Sequence, residues 1–144
     1  MIINIKDIEL TEDKYNQIIN LYSYFKKIKK NKLSFKKLKE IIKNLNDNHY
    51  ILFYIENNII KGAITLLIEQ KIIHDGGSVG HIEDFIVLEE YRNQDIGKLL
   101  LNYVINLSEQ NNCYKCILNC DSSLIEYYKK FKFIKKGINM ALYF

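Results

Sequence analysis

The feature that most constrains this chain is a change of hydrophobic period at residue 49. Before it, apolar side chains recur every three or four residues, as one face of a helix requires. Tyr15, Ile18, Ile19, Tyr22 and Phe25 form one such stripe, and Leu38, Ile41, Ile42 and Leu45 form another. Thr11 ahead of Glu12 and Asp13 is a helix start, and Ser34, three residues before Lys37, caps the second helix. From His49 to Glu56 the chain turns β-branched and aromatic and reads as a strand. Asn57 and Asn58 supply a turn, because asparagine tolerates positive φ, and Ile59 to Ile68 returns as the second arm of a hairpin with Gly62 at a bulge.

The rest of the chain alternates between the two periods. Ile2 to Lys6 is a short first strand. After Asp75-Gly76-Gly77, Val79 to Leu88 is a strand, and Ile96, Leu99, Leu100, Tyr103, Val104 and Leu107 mark a strong amphipathic helix. Cys113 to Leu118 is a buried strand, Asp121-Ser122-Ser123 caps a last helix through Tyr127, Tyr128 and Phe131, and Phe133–Lys136 and Ile138–Tyr143 are terminal strands. The order β-α-α-β-β-β-α-β-α-β-β predicts an α+β fold around a mixed sheet. With 144 residues, 1–144 is expected to be a single domain.

Composition removes several classes. A chain that is 48% hydrophobic and 26% charged is not wholly disordered, and zero prolines exclude a Pro-rich linker. No apolar run approaches the ~20 residues of a membrane-spanning helix. The first seven residues turn polar and acidic too early for a secretory signal, and three cysteines argue for a reducing compartment, so a cytoplasmic location is expected. Net charge is +4, but Lys26 to Lys43 holds nine lysines against Glu40 alone. That patch lacks interleaved aromatics, so phosphate steering is the better reading and nucleic acid is not expected as a partner.

Chemistry concentrates in the second half. Tyr91 to Lys98 is a polar loop opening into the strong helix, where free N–H groups and the positive dipole end suit a phosphate, with Arg92 and Lys98 adding charge. Glu83 and Asp84 are adjacent in a strand, so alternation turns only one of them into a given pocket. His81 reads as structural. Cys113, Cys116 and Cys120 have metal-like spacing, but in a strand Cys113 and Cys116 face opposite sides, so buried small hydrophobes are expected and no metal.

Arg92-x-x-Asp95-x-Gly97 resembles the acetyl-CoA loop of the GNAT acetyltransferases. Lys71-Ile72-Ile73-His74, Gly80-His81-Ile82-Glu83-Asp84, Gly97-Lys98-Leu99-Leu100, Cys113-Tyr114-Lys115 and Tyr127 to Phe131 resemble, in order and spacing, segments of the glucosamine 6-phosphate N-acetyltransferases. The resemblance covers roughly residues 64–140. It implies a GNAT fold with helices on both faces of the sheet, and acetyl transfer from acetyl-CoA to the 2-amino group of glucosamine 6-phosphate, giving an amino-sugar precursor. It implies a homodimer with C-terminal strands exchanged or packed between subunits.

The resemblance also implies roles. Acetyl-CoA would lie along Phe85, Ile86 and Val87, with its pyrophosphate on Arg92, Asn93, Gln94, Asp95, Ile96, Gly97 and Lys98, and with Asn119 and Tyr128 as further cofactor contacts. Tyr128 would protonate the departing thiolate. Glu83 and Asp84 would line the sugar site and take part in proton transfer, with Lys71, His74, Tyr114 and Lys115 contacting the sugar phosphate.

Four positions depart from the pattern. Asp95 replaces a glycine, and is expected to accept a left-handed backbone with its side chain turned outward to cap the helix. Leu124 replaces an asparagine, and Asn119 an aspartate. The C-terminal Ala141 to Phe144 lacks a basic residue that the family uses on the phosphate, a role the lysine patch would take over, with Lys27, Lys29 and Lys30 lowering KM for the sugar. Two other readings keep the fold: a protein or polyamine acceptor, and a non-catalytic module binding CoA or nucleic acid.

Overall fold

The computed structural model describes residues 1–26, 28 and 32–144. Lys27, Lys29 and Lys30, the three lysines expected to serve the phosphate, lie outside the described residues. The elements run β1 (Ile2–Asn4), α1 (Glu12–Tyr22), α2 (Phe35–Lys43), β2 (His49–Glu56), β3 (Ile59–Gln70), a distorted single turn α3 (Ile73–Gly76), β4 (Ser78–Val87), α4 (Ile96–Gln110), β5 (Cys113–Leu118) and α5 (Ile125–Lys129). Among the described residues they build one five-stranded sheet in the order β1-β2-β3-β4-β5. Neighbours are antiparallel except β4 and β5, which are parallel and joined by the crossover helix α4.

Local chemistry explains most boundaries. The Thr11 hydroxyl accepts from the Lys14 amide at 3.2 Å and the Ser34 hydroxyl from the Lys37 amide at 3.3 Å, so α1 and α2 start where their caps predict. Asn57 and Asn58 adopt φ of 51° and 64°, the conformation of a two-residue hairpin turn. The β2–β3 pairing is interrupted because Ile55 pairs with Ile60 and Tyr54 with Gly62. The extra residue is therefore Lys61, next to the glycine expected there. Asp121 precedes a 3-10 turn, Ser122–Leu124, and makes no side-chain cap bond, so that expected cap is corrected.

Two cores form on opposite faces of the sheet. Phe53, Ile55 and Ala63 pack against α1 and α2 through Ile18, Ile19, Leu21 and Leu38. Leu52, Ile64, Leu66 and Ile82 pack against α4 through Leu100, Leu101 and Val104, with Tyr128 of α5 closing one end. No helix among the described residues is long and apolar enough to cross a membrane.

Two expectations fail. Cys113 and Cys116 do not face opposite sides: both pack against the α4 core, because the β4–β5 register slips at Tyr114 between the pairs Ser78–Cys113 and Val79–Lys115. Burial pushes both thiols upward, which keeps them neutral. The terminal strands Phe133–Lys136 and Ile138–Tyr143 are not formed. Ile138, Met140, Leu142 and Phe144 recur at every second position, as a strand face would, yet all are solvent-exposed, Ile138 at 94%. A strand forms only by pairing with an edge, and this segment pairs with none, the free edge of β5 included.

Leu100 is fully buried, and its side chain lies over Gly62 beneath the β3–β4 pairing. Leu100→Ala is expected to destabilise the fold by about 2–5 kcal/mol, read as a lowered denaturation midpoint in urea.

Candidate active site

The site begins with a bulge in β4. Thr65 pairs with Glu83 and Ala63 with Ile86, so two steps along β3 face three along β4. The extra residue is accommodated at Asp84, whose φ is 47°. Such an insertion bends its strand and breaks the alternation of side chains. Pairing between β4 and β5 stops at Ile82–Leu118, while β4 continues to Val87 with its β5-side backbone groups unpaired by any strand. A cleft of about 330 Å³ opens where the two strands part.

The bulge corrects the alternation argument, because Glu83 and Asp84 both line this cleft, together with Ile82 and Phe85. Asn119, Leu124 and Tyr128 line it from the far side. Tyr128 is 8% exposed and packs edge-on to Tyr127 at 5.3 Å and to Phe133 at 6.0 Å. Burial, with smaller contributions from Cys120 and Tyr127, pushes its phenol up to about 12. The hydroxyl is thus held as a proton donor at neutral pH.

Residues 92–98 border the same region. The Arg92 side chain donates from Nε to the Val87 carbonyl at 3.3 Å, and Asn93 and Asp95 adopt left-handed φ of 60° and 58°. Asp95 takes the expected backbone conformation, but its side chain makes no cap bond; its carbonyl accepts from the Leu99 amide at 2.9 Å. The first-turn amides of α4, at Ile96, Gly97 and Lys98, have no acceptor within the helix. The Ile96 side chain is core, so only its backbone is available. A Cβ on Gly97 would stand 3.0 Å from the Tyr127 hydroxyl and 3.3 Å from the Phe85 ring, so glycine is what lets α4 and α5 close around β4.

The remaining predicted residues gather elsewhere. His74 stacks on Tyr114 with ring centroids 4.1 Å apart, and the Lys115 ammonium lies 5.6 Å from the Tyr114 ring. Lys71 and His81 share Glu69, at 2.6 Å and 2.8 Å from its two carboxylate oxygens, and they hold that carboxyl below its ordinary range. Tyr114 and Lys115 sit toward the Ser78–Cys113 end of the β4–β5 pair, whereas His81 pairs with Ile117, next to the splay. Five residues of strand separate Val79, the partner of Lys115, from Asp84, or roughly 17 Å. Tyr114 and Lys115 nevertheless line one cavity of about 1160 Å³ with Asn119 and Tyr128 within the same chain.

Phe25, which lines the cleft, and Tyr22, which lies close to Asp84 behind it, were not expected there. Phe25, 52% exposed, lines it from beyond the end of α1. The buried Tyr22 hydroxyl is hydrogen-bonded to Thr65 and close enough to Asp84 for burial and that negative charge to push its phenol upward. Both belong to the α1 apolar stripe, and nothing in their spacing separates a cleft residue from a core residue.

A sheet splayed at a bulge, beside a helix N-terminus led by a left-handed loop, is the arrangement expected of the fold the sequence resembles. The chain matches the Acetyltransferase (GNAT) family over residues 15–133 and belongs to that family, whose members use acyl-CoA. It is 33% identical over 105 residues to glucosamine 6-phosphate N-acetyltransferase 1 of Dictyostelium discoideum, covering 71% of this chain and 66% of that protein. The chain thus spans just under two thirds of that relative's length. It is 34% identical over 103 residues to glucosamine 6-phosphate N-acetyltransferase of Schizosaccharomyces pombe, covering 70% of this chain and 93% of that protein. The crystal structure of glucosamine-6-phosphate N-acetyltransferase from Arabidopsis thaliana superposes with a TM-score of 0.86 at 27% identity, covering 100% of this chain and 97% of that one.

The burial of Tyr128 makes a direct prediction. Phenolate absorbance, taken as wild type minus Tyr128→Phe, is expected to stay flat through pH 10 and to rise only as the pH nears 12. A transition near 10 contradicts the buried, protonated phenol.

Proposed function

We propose that this chain transfers the acetyl group of acetyl-CoA to the 2-amino group of glucosamine 6-phosphate, as a cytoplasmic homodimer of one domain per chain. The observation that carries the reading is the convergence of Glu83, Asp84 and Tyr128 on the cleft where β4 leaves β5. The unpaired β4 edge at Phe85, Ile86 and Val87 suits an extended pantetheine arm. The amides of residues 92–98, with Arg92 and Lys98, suit its pyrophosphate. Cys113, Cys116 and Cys120 are all free thiols, which suits a reducing compartment.

Acetyl transfer then needs no covalent enzyme intermediate. The amine attacks the thioester carbonyl, and a β4 backbone N–H in the splay stabilises the oxyanion of the tetrahedral intermediate. The carboxylates of Glu83 and Asp84 accept the amine proton, directly or through water. Tyr128 donates its phenolic proton to the thiolate as the C–S bond breaks, and is reprotonated from solvent. Asp84 keeps the acceptor side negative, which favours binding of a protonated amino sugar before it loses its proton.

The roughly 17 Å of strand between Asp84 and Val79, the partner of Lys115, is a backbone separation that the side chains at either end shorten. A two-fold partner adds a second route, since an isologous pair can set the basic end of one chain beside the acidic cleft of the other. The exposed C-terminal apolar face, from Ile138 to Phe144, supports the same arrangement, because it lacks a cover within its own chain.

A thiol-release assay with acetyl-CoA tests the reaction. Rapid release is expected with glucosamine 6-phosphate and much slower release with glucosamine; no release with either from folded protein rejects the proposal. Tyr128→Phe is expected to lower kcat about 10²–10⁴-fold with little change in KM.

The shared site is tested by mixing Asp84→Asn and Lys115→Met chains, each inactive as a homodimer. Random heterodimers then carry one intact site in two, so about a quarter of wild-type activity is expected. No recovery in a verified heterodimer argues against sites shared between subunits.

A further inference from the structure

Lys61 is a lysine only 8% exposed, which is unusual for a side chain whose charge is costly to bury without partners. As the extra residue of the β2–β3 bulge it is aimed out of the regular ladder. Its ammonium pairs with the Glu56 carboxylate and lies over the face of Tyr91, 4.6 Å from the ring centroid. Glu56 holds that ammonium above its ordinary range, and Lys61 holds Glu56 below its own. The Lys61 carbonyl also accepts from the Leu88 amide at 3.0 Å.

Those two contacts bracket one short turn. Leu88 precedes the 3-10 turn Glu89–Tyr91 and Tyr91 ends it, with the Tyr91 amide bonded to the Leu88 carbonyl at 2.9 Å. Tyr91 packs against both hydrophobic cores, and the next residue is Arg92. From there the chain passes through left-handed Asn93 and Asp95, a conformation that residues other than glycine adopt at a cost. A loop with that geometry keeps its amides aimed only if the segment leading into it is fixed.

We infer that Lys61 is a positioning residue for the pyrophosphate loop. It grips Leu88 through its carbonyl and Tyr91 through its ammonium, so residues 92–98 are preorganised for the ligand without Lys61 touching it. The inference rests on the reading of residues 92–98 as an acyl-CoA site.

Lys61→Met keeps the stem and removes the charge, and Tyr91→Leu removes the ring. CoA dissociation constants measured by calorimetry are expected to rise about fivefold for each, with the double variant hardly weaker than either single, because the two act as one contact. Lys61→Arg, which also stacks on aromatic faces, is expected to restore affinity. KM for S-acetylpantetheine, which lacks the pyrophosphate, is expected to stay unchanged in all variants, whereas a general loss of stability would raise it too. Tyr91→Leu, which leaves the Lys61–Glu56 pair in place, carries the same test if Lys61→Met does not fold. Additive losses, or equal losses with S-acetylpantetheine, overturn the inference while the acetyl-transfer reading stands. Failure of the wild-type protein to bind CoA overturns both.

Discussion

One extra residue in β4 determines much of what this molecule can do. A regular β4 would keep pairing with β5 to its end, and its polar backbone groups would be used up in the ladder. The insertion at Asp84 sends the strand away from its parallel neighbour after Ile82–Leu118, leaving the edge from Phe85 to Val87 without a strand partner. The same residue breaks the side-chain alternation, so two carboxylates reach one cleft. Everything around it serves that geometry: Gly97 lets α4 and α5 close in, Tyr22 and Thr65 stand behind Asp84, and Tyr128 faces it from α5.

The site is chemically divided as a result. Carboxylates and a protonated phenol occupy one end of the β4–β5 pair, where proton transfers are needed. Lys71, His74, Tyr114 and Lys115 gather toward the other end, and Glu69 ties Lys71 to His81, which stands next to the splay. Strand rise sets the backbone separation between them, and one cavity lined by Tyr114, Lys115 and Tyr128 runs between the two ends.

Several elements were legible because they depend on neighbours in sequence. Asn57-Asn58 makes a hairpin by its own backbone preferences, Thr11 and Ser34 cap by reaching three residues ahead, and β2 follows from a run of β-branched and aromatic residues. Other elements depend on partners that the period cannot name. Ile138 to Phe144 has the pattern of a strand but pairs with no edge. Cys113 and Cys116 share a face only because the register slips at Tyr114. Phe25 and Ile18 carry the same helical signature, yet one lines the cleft and the other lies in the core.

The sequence by itself determined the class of fold, the loop opening into α4 and the family, because periodicity, caps and motif spacing are local properties. Tertiary structure alone decided where β4 parts from β5, that Glu83 and Asp84 share a cleft, and that Lys61 is buried against Tyr91. Each of those outcomes depends on the register between strands. A shift of one residue redirects every side chain beyond it, and that shift is set by packing across the sheet rather than by any short run of residues.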